Sequence, residues 1–249
     1  MTTIYAIGNQ KGGVAKTTTA WVLGCALAER GRSVLLVDMD PQASLTIACG
    51  VEAEDQSIAE VIGAGRPGKL SLRDIIQTLD DNLYLAPSDI ALSGSELGLV
   101  PRMGRENVLK RVLDGAYTDY VLIDCPPSLG LLTVNALVAA DRVLIPTQCE
   151  YLALRGIALF YETFEQVRQE LNPDLEIFGI LPTFYDSRLI HADEVIEAME
   201  QRNLPVLPVR VRRSVRVSES ALAHESILTY AKRIPAVEAY RKLAEIIDE

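Results

Sequence analysis

At 249 residues, 49% of them apolar, the chain is long enough for one α/β domain with a large buried core, and its composition excludes disorder. Its 24 basic and 34 acidic side chains leave a net charge of −10, which excludes a globally basic nucleic-acid binder and allows only a local patch. Four widely spaced cysteines (Cys25, Cys49, Cys125, Cys149) without a C-x-x-C pair, no basic-then-apolar leader and no run of about 18 apolar residues point to a reduced, cytoplasmic protein.

The first predicted strand, Ile4–Ile7, runs into Lys11-Gly12-Gly13-Val14-Ala15-Lys16-Thr17-Thr18, and a helix follows over Thr17–Arg30. Strand, glycine-bearing loop and helix start form the context of a phosphate-binding loop. Glycines let backbone N–H groups turn inward around phosphate oxygens, and the helix presents its positive end to the same anion. Lys16 is placed to reach the β- and γ-phosphates, and the Thr17 hydroxyl to sit on Mg²⁺. The common pattern G-x-x-x-x-G-K-[ST] is not met, since Gln10 and Ala15 occupy its glycine positions and a second lysine, Lys11, is added.

The next strand, Ser33–Val37, ends in Asp38-Met39-Asp40-Pro41-Gln42. If the strand extends through both carboxylates, residues two apart point the same way. One could then serve a metal shell and the other orient a water. Gly63–Ser71 is the only linker-like stretch and is too short to divide domains. Strand Leu83–Leu85, helix Glu106–Gly115 and strand Tyr120–Ile123 follow. The last is continuously apolar and ends in Asp124, the form of a Walker B element. In open α/β sheets ligands lie off the carboxyl ends of strands, which aims Asp124 at a Mg²⁺ held on Thr17. The remaining predicted elements are helix Leu131–Ala140, strand Arg142–Pro146, helix Ile157–Leu171, strand Ile177–Leu181, helix His191–Arg202, a short strand near Val206–Val211 and helix Ala236–Ile247. Short β-rich runs alternating with helical patterns imply one domain with a mostly parallel, twisted sheet and helices on both faces. Trp21 and Cys25 read as helix packing, Asn135 as a helix–helix contact, and His191 and His224 as surface residues.

Taken together, KGGVAKTTT, VLLVDMDPQ, VLIDCPPSLGLLTVNAL and PTQCEYLALRG resemble the ParA/Soj family of chromosome- and plasmid-partitioning ATPases. That family belongs to the deviant-Walker-A group of P-loop NTPases that includes MinD. The resemblance runs from Ile4 to the last helix. It implies an ATP-dependent homodimer in which Lys11 reaches the partner's nucleotide. Lys16, Thr17 and Thr18 then hold phosphates and Mg²⁺, Asp124 and Asp38 support the metal shell, and Asp40 positions the hydrolytic water. Phosphoryl transfer needs cationic stabilisation of charge on the equatorial oxygens, and supplying it from a second subunit makes hydrolysis depend on dimerisation. Ala15 stands where many members carry glycine, and its methyl fits there with a negative φ. Glu150-Tyr151 falls near the dimer surface.

The segment Gln201–Ser218 holds five arginines and no acid. Arg210, Arg212, Arg213 and Arg216 can form a stripe for the DNA backbone, which needs charge and no base reading. The resemblance adds non-specific double-stranded DNA binding through positions matching Arg188 and Arg216, and a base-proximal position matching Thr183. Arg212 and Arg213 can be divided either way between base and DNA; we assign Arg212 to the nucleotide and Arg213 to the DNA. The expected partners are a second copy, DNA and a ParB-like centromere-binding protein, with nucleoid association. The acidic end Ala244–Glu249 argues against a MinD-like membrane switch, which needs a basic amphipathic helix. The cysteine spacing does not match an iron–sulfur carrier. With no helix-turn-helix region ahead of Ile4, sequence-specific autorepression is not expected.

Overall fold

A computed structural model describes residues 2–53, 56–63, 70–150 and 153–249. In chain order the elements are β1 (Thr3–Ile7), α1 (Lys16–Glu29), β2 (Val34–Asp38), α2 (Ser44–Ala48), α3 (Ile58–Ile62), α4 (Leu72–Ile75), β3 (Gln77–Asp80), β4 (Leu83–Ala86), α5 (Ala91–Leu99), α6 (Val108–Leu113, entered by a 3₁₀ turn at Arg105–Asn107), β5 (Tyr120–Asp124), α7 (Leu131–Ala139), β6 (Arg142–Gln148), α8 (Ala153–Glu170), β7 (Glu176–Thr183), α9 (Ile190–Glu200), α10 (Val215–Leu222), α11 (Ile227–Tyr230) and α12 (Pro235–Asp248). Most of the linker read over Gly63–Ser71, together with Tyr151 and the His191 side chain, lies outside the described residues.

The strands form one sheet in the order β3-β4-β2-β5-β1-β6-β7, parallel throughout except where β3 runs antiparallel at the edge. Buried strands alternate their side chains between two apolar layers. Ala6, Val37, Val121 and Ile145 face the layer beneath α3, α5, α6, α7 and α8, while Tyr5, Ile7, Leu36 and Leu144 face the layer beneath α1, α11 and α12. Helix α1 lies close to the sheet because Gly24 has no side chain; a Cβ there would sit 2.7 Å from Leu36 Cδ2. Val237, Tyr240, Ala244 and Ile247 recur at helical spacing and bury one face of α12. The fully buried Tyr240 hydroxyl lies 3.1 Å from Thr19 Oγ1, so the last helix buttresses the first. Trp21 is buried in the same layer.

The six longer predicted strands and six predicted helices are present, with ends moved by a few residues. The segment near Val206–Val211 differs. It forms no continuous ladder with β7: one isolated bridge, Ile180↔Val206, lies on the strand, a second, Tyr185↔Arg212, lies just beyond it, and between them Val211 N donates to the Pro182 carbonyl at 2.8 Å. Pro205 and Pro208 lack the N–H groups a ladder needs, which breaks the strand. Helices α2 to α5, α10 and α11 and edge strand β3 are additional. Two of these short helices carry a readable start signal: Glu60 reaches back to the Ser57 N–H at 3.0 Å, and Asp74 to the Ser71 N–H at 2.7 Å. Asn135 refines its expected helix contact, since its Oδ1 accepts from the N–H groups of Val108 and Leu109 and thereby caps α6.

Candidate nucleotide site

Strand β5 is inserted between β1 and β2, and this crossover builds the site. Asp124 at its end registers with Ile7 on one side and Asp38 on the other. It therefore stands between the loop after β1 and the turn after β2, at the carboxyl edge where α/β sheets place ligands.

The loop from Gly8 to Ala15 is held from below. Buried Asn9 donates from Nδ2 to the Pro146 carbonyl at 2.8 Å and accepts the Lys11 N–H on Oδ1 at 3.0 Å. Sequence patterning gave no hint of Asn9, because nothing in the loop motif marks the residue before it. Among the described residues, the N–H groups of positions 12–18 donate to no protein acceptor. Such a set of free donors at the start of a 14-residue helix suits a polyphosphate. Lys16 opens that helix, 7% exposed, with Nζ donating to the Lys11 carbonyl at 3.2 Å. Burial lowers its pKa, while Asp124 and Asp40, among other groups, act in the opposite direction. Thr17 and Thr18 follow in the first turn.

Ala15 departs from expectation. Its φ is +69°, in the left-handed region, where a negative value was required to fit the methyl group. An L-residue held there costs about 1–2 kcal/mol. Strain of this kind persists where surrounding structure fixes the backbone, and here Gly13 at φ +72° and the α1 start do so. Ala15→Gly should therefore stabilise the protein by roughly 0.5–1 kcal/mol, the relief being partly offset by greater freedom of the unfolded chain. Reversible denaturant unfolding with and without nucleotide measures it, and a loss of stability would contradict this account.

Asp124 is 1% exposed, and neither carboxylate oxygen has a hydrogen-bond partner among the described residues. Burial and the adjacent Asp38 push its pKa well above the usual carboxylate range. The Thr17 hydroxyl, close by but outside hydrogen-bonding geometry, and the Lys16 ammonium only partly oppose that rise. A buried anionic oxygen without partners costs several kcal/mol of desolvation, at about 1–3 kcal/mol for even a neutral group. A divalent cation shared with the Thr17 hydroxyl is the partner this geometry fits. No cluster of three or more His, Cys, Asp or Glu side chains suited to a metal occurs among the described residues. Oxygen atoms of a phosphate ligand and water would have to complete the shell, as is usual for Mg²⁺.

Asp38, read from the sequence as a metal residue, is turned toward α2 and the following turn. Strand β2 ends at Asp38, so Asp38 and Asp40 do not share a strand face. Asp38 is fully buried; its Oδ2 accepts from Thr46 N at 2.9 Å and Thr46 Oγ1 at 2.7 Å, and its Oδ1 from Asp40 N at 3.1 Å. Burial raises its pKa against the pull of these donors. Asp38 holds the turn that carries Asp40, and Asp40 itself lies half-buried beside Lys16.

Lys11 is engaged within its own subunit. Its Nζ lies 2.6 Å from Glu150 Oε2 and 3.4 Å from Gln148 Oε1, with both partners of the ion pair substantially exposed. Such a pair contributes about 0–1 kcal/mol and is easily exchanged. Glu150, read only as a residue near a dimer surface, is the Lys11 counter-ion here. Thr183 is also corrected: it is fully buried at the end of β7, and its hydroxyl donates to the Val14 carbonyl at 3.1 Å. It supports the phosphate loop from beneath and has no exposed face for a base.

The arginine stripe divides in two. Arg188, Arg212 and Arg213 line one concavity of about 590 Å³ together with Tyr185, Asp186 and Ser214, so Arg212, assigned above to the nucleotide, lies beside two arginines assigned to DNA. Arg188 makes a forked contact with Asp186, at 2.6 Å for its shortest arm, which holds the Asp186 pKa down at about 2. Arg216 sits in the first turn of α10, paired with Glu219 at 2.8 Å. Arg210 leaves the stripe. Its guanidinium stacks 4.9 Å from the Tyr185 ring centroid and donates to Asp193 at 2.8 Å. It braces the connection between β7 and α9, and like Arg188 and Arg216 it pairs with an acid of its own subunit.

A family model described as an AAA domain matches residues 2–177. The sporulation initiation inhibitor protein Soj of Bacillus subtilis is 43% identical over 97% of this chain and 96% of its own length. The chromosome partitioning protein ParA of Myxococcus xanthus is 42% identical, over 96% of this chain and 86% of its own. Among solved structures, one named cobyrinic acid a,c-diamide synthase from Mycobacterium smegmatis, with bound ADP and magnesium, superposes with a TM-score of 0.86 at 42% identity, covering 98% of this chain and 93% of that one. Full-length identity to Soj and ParA, on a fold that brings both lysines of the phosphate loop and the partnerless Asp124 to one edge of the sheet, means that this chain belongs to the ParA/Soj family of partitioning ATPases.

Proposed function

We propose that this ATPase uses ATP and Mg²⁺ to join two subunits into a dimer that holds DNA without sequence preference. Hydrolysis, stimulated by a ParB-like partner, then releases it. The observation that carries the DNA reading is the arginine cluster: Arg188, Arg212 and Arg213 line one concavity that ends at Val215, and Arg216 follows directly in the first turn of α10, in a protein of net charge −10. The free N–H groups of the loop, Lys16 and the Thr17–Asp124 pair support ATP and Mg²⁺ at the other site, as does the ADP–magnesium complex of the M. smegmatis relative. Bound Mg²⁺ would neutralise charge on the phosphate oxygens. Lys16 would hold the β- and γ-phosphates, and Asp40 would orient a water and accept its proton as its oxygen attacks the γ-phosphorus, leaving ADP and phosphate. Lys11 would exchange Glu150 for the partner's nucleotide, which makes the ion pair a cheap contact to give up.

One arginine patch in an acidic protein binds weakly; two patches joined in a dimer raise the effective local concentration, so ATP becomes a switch for DNA affinity. No described helix is long and apolar enough to cross a membrane. The test is a shift assay on two unrelated duplexes across a salt series, with and without ATP. Arg216→Glu should weaken binding by roughly 10-fold or more at moderate salt, flatten the salt dependence, and leave ATP-dependent dimerisation intact. Strong preference for one duplex, equal binding without nucleotide, or an unaffected Arg216→Glu variant would each overturn the DNA reading. Anionic vesicles in a parallel co-sedimentation serve as the control for a membrane switch. The name of the M. smegmatis structure suggests ATP-dependent amide formation as a second reading. ATP turnover that rises with an amide acceptor and not with DNA would favour it.

A further inference from the structure

The turn that carries Asp40 is held by a closed set of hydrogen bonds reaching across to the end of β4. The Asp40 N–H donates to Asp38 Oδ1 at 3.1 Å, and its Oδ1 accepts the Gln42 N–H at 2.9 Å. Its carbonyl accepts twice, from Ala43 N at 2.9 Å and from Ser88 Oγ at 2.9 Å. Ser88 follows β4 by two residues and is 1% exposed. Its own N–H donates to Thr46 Oγ1 at 2.9 Å, and that hydroxyl in turn donates to Asp38 Oδ2 at 2.7 Å. The path Asp38–Thr46–Ser88–Asp40 therefore returns to its starting point, with every hydroxyl hydrogen directed. Four of these contacts lie within the turn or between it and α2. The turn also rests on β5, where the Met39 N–H donates to the Asp124 carbonyl at 3.0 Å, but it is Ser88, 48 residues away in sequence, that holds Asp40 itself to the end of a different strand.

We propose that Ser88 is a positioning residue for ATP hydrolysis: its hydroxyl fixes the Asp40 peptide, and with it the direction in which the Asp40 carboxylate presents a water. The inference rests on the hydrolytic role proposed for Asp40. Functional groups must be held within about 0.5 Å and 10–20° of the productive geometry, and a misplacement of about 1 Å can cost 10²-fold in rate. An Asp40 carbonyl freed from Ser88 leaves Asp40 itself held only by contacts within its own turn. The hydrogen bonds of Ser88 run to Thr46 and Asp40 and not to the loop of residues 12–18 or to Asp124, so ATP binding should not sense the change.

The experiment is a double-mutant cycle on turnover, with ATP affinity measured in parallel. Ser88→Ala should lower kcat by about 10-fold while KM and the equilibrium affinity for ATP change less than about two-fold. Ser88→Cys keeps the shape and weakens the donor, so it should behave alike and provides a second variant if alanine disturbs folding. In an Asp40→Ala background the same substitutions should change turnover by less than about two-fold, because residues acting as a unit are not additive. A protein-wide loosening would instead slow both backgrounds equally and raise KM, and that result would overturn the proposal. Unchanged kcat in both Ser88 variants, with Asp40→Ala slow, would sink the Ser88 role alone. Normal turnover in Asp40→Ala would remove the Asp40 role and the Ser88 role with it.

Discussion

Lys16→Ala should abolish measurable ATP binding, while Lys11→Ala should leave ATP affinity nearly unchanged and lose ATP-dependent dimerisation and turnover. The two lysines are only five residues apart, yet their surroundings separate their work. Lys16 is buried at the start of α1, with Asp124 and Asp40 acting on it. Removing it deletes at least two charge-assisted contacts to phosphate, each worth about 1.5–3 kcal/mol, so affinity should fall roughly 100-fold or more. It also strips the one cation acting on the buried Asp124. Lys11 points away from that pocket, toward Glu150 at the end of β6. Its loss costs the isolated subunit no more than a surface pair. Equilibrium ATP binding combined with sizing in ATP separates the two variants. A Lys11→Ala protein that dimerises and hydrolyses at the normal rate would refute the cross-subunit role.

Asp40→Ala should bind ATP, form a persistent dimer and hydrolyse about 10²-fold more slowly or worse, the range lost when a positioned general base is removed. The reason is spatial. Asp40 is on the turn after β2, whereas the groups suited to phosphate and cation lie on the β1–α1 loop and at the end of β5. Truncating its side chain leaves those groups in place and keeps the backbone bonds to Asp38 and Ser88. Sizing chromatography in ATP and single-turnover phosphate release give the two readouts. A monomer in ATP would assign Asp40 to assembly, and unaltered turnover would move the hydrolytic role to another residue.

Much of this site is legible in the sequence because its parts are local. A phosphate loop is a run of consecutive residues between a strand and a helix, and its lysines and hydroxyls are read from spacing alone. Asp124 is equally visible, since a continuously apolar strand that ends in a carboxylate has one place to put it. The alternation of short apolar runs with helical patterns likewise determines the α/β class and the buried, parallel strands. Short elements escaped that reading. Helices α3 and α4 are too brief to show a period, although the Ser57–Glu60 and Ser71–Asp74 pairs mark their starts.

What only the tertiary structure decided is which partner each polar side chain takes. Asp38 fits a metal shell by its position behind an apolar strand, yet α2 supplies Thr46, whose N–H and hydroxyl both donate to its Oδ2. Thr183 and Val14 are 169 residues apart, and the order of strands in the sheet brings that hydroxyl beneath the phosphate loop. Arg210 and Arg212 are neighbours in one basic segment, but the first turns to Tyr185 and Asp193 while the second lines the concavity. Ala15 takes a left-handed conformation at φ +69° between the loop and the start of α1, which its residue type does not announce. Apolar burial depends on the side-chain pattern of each segment and survives almost any partner. A hydrogen bond or ion pair requires two particular groups within about 3 Å, and their meeting depends on how the whole chain crosses the sheet.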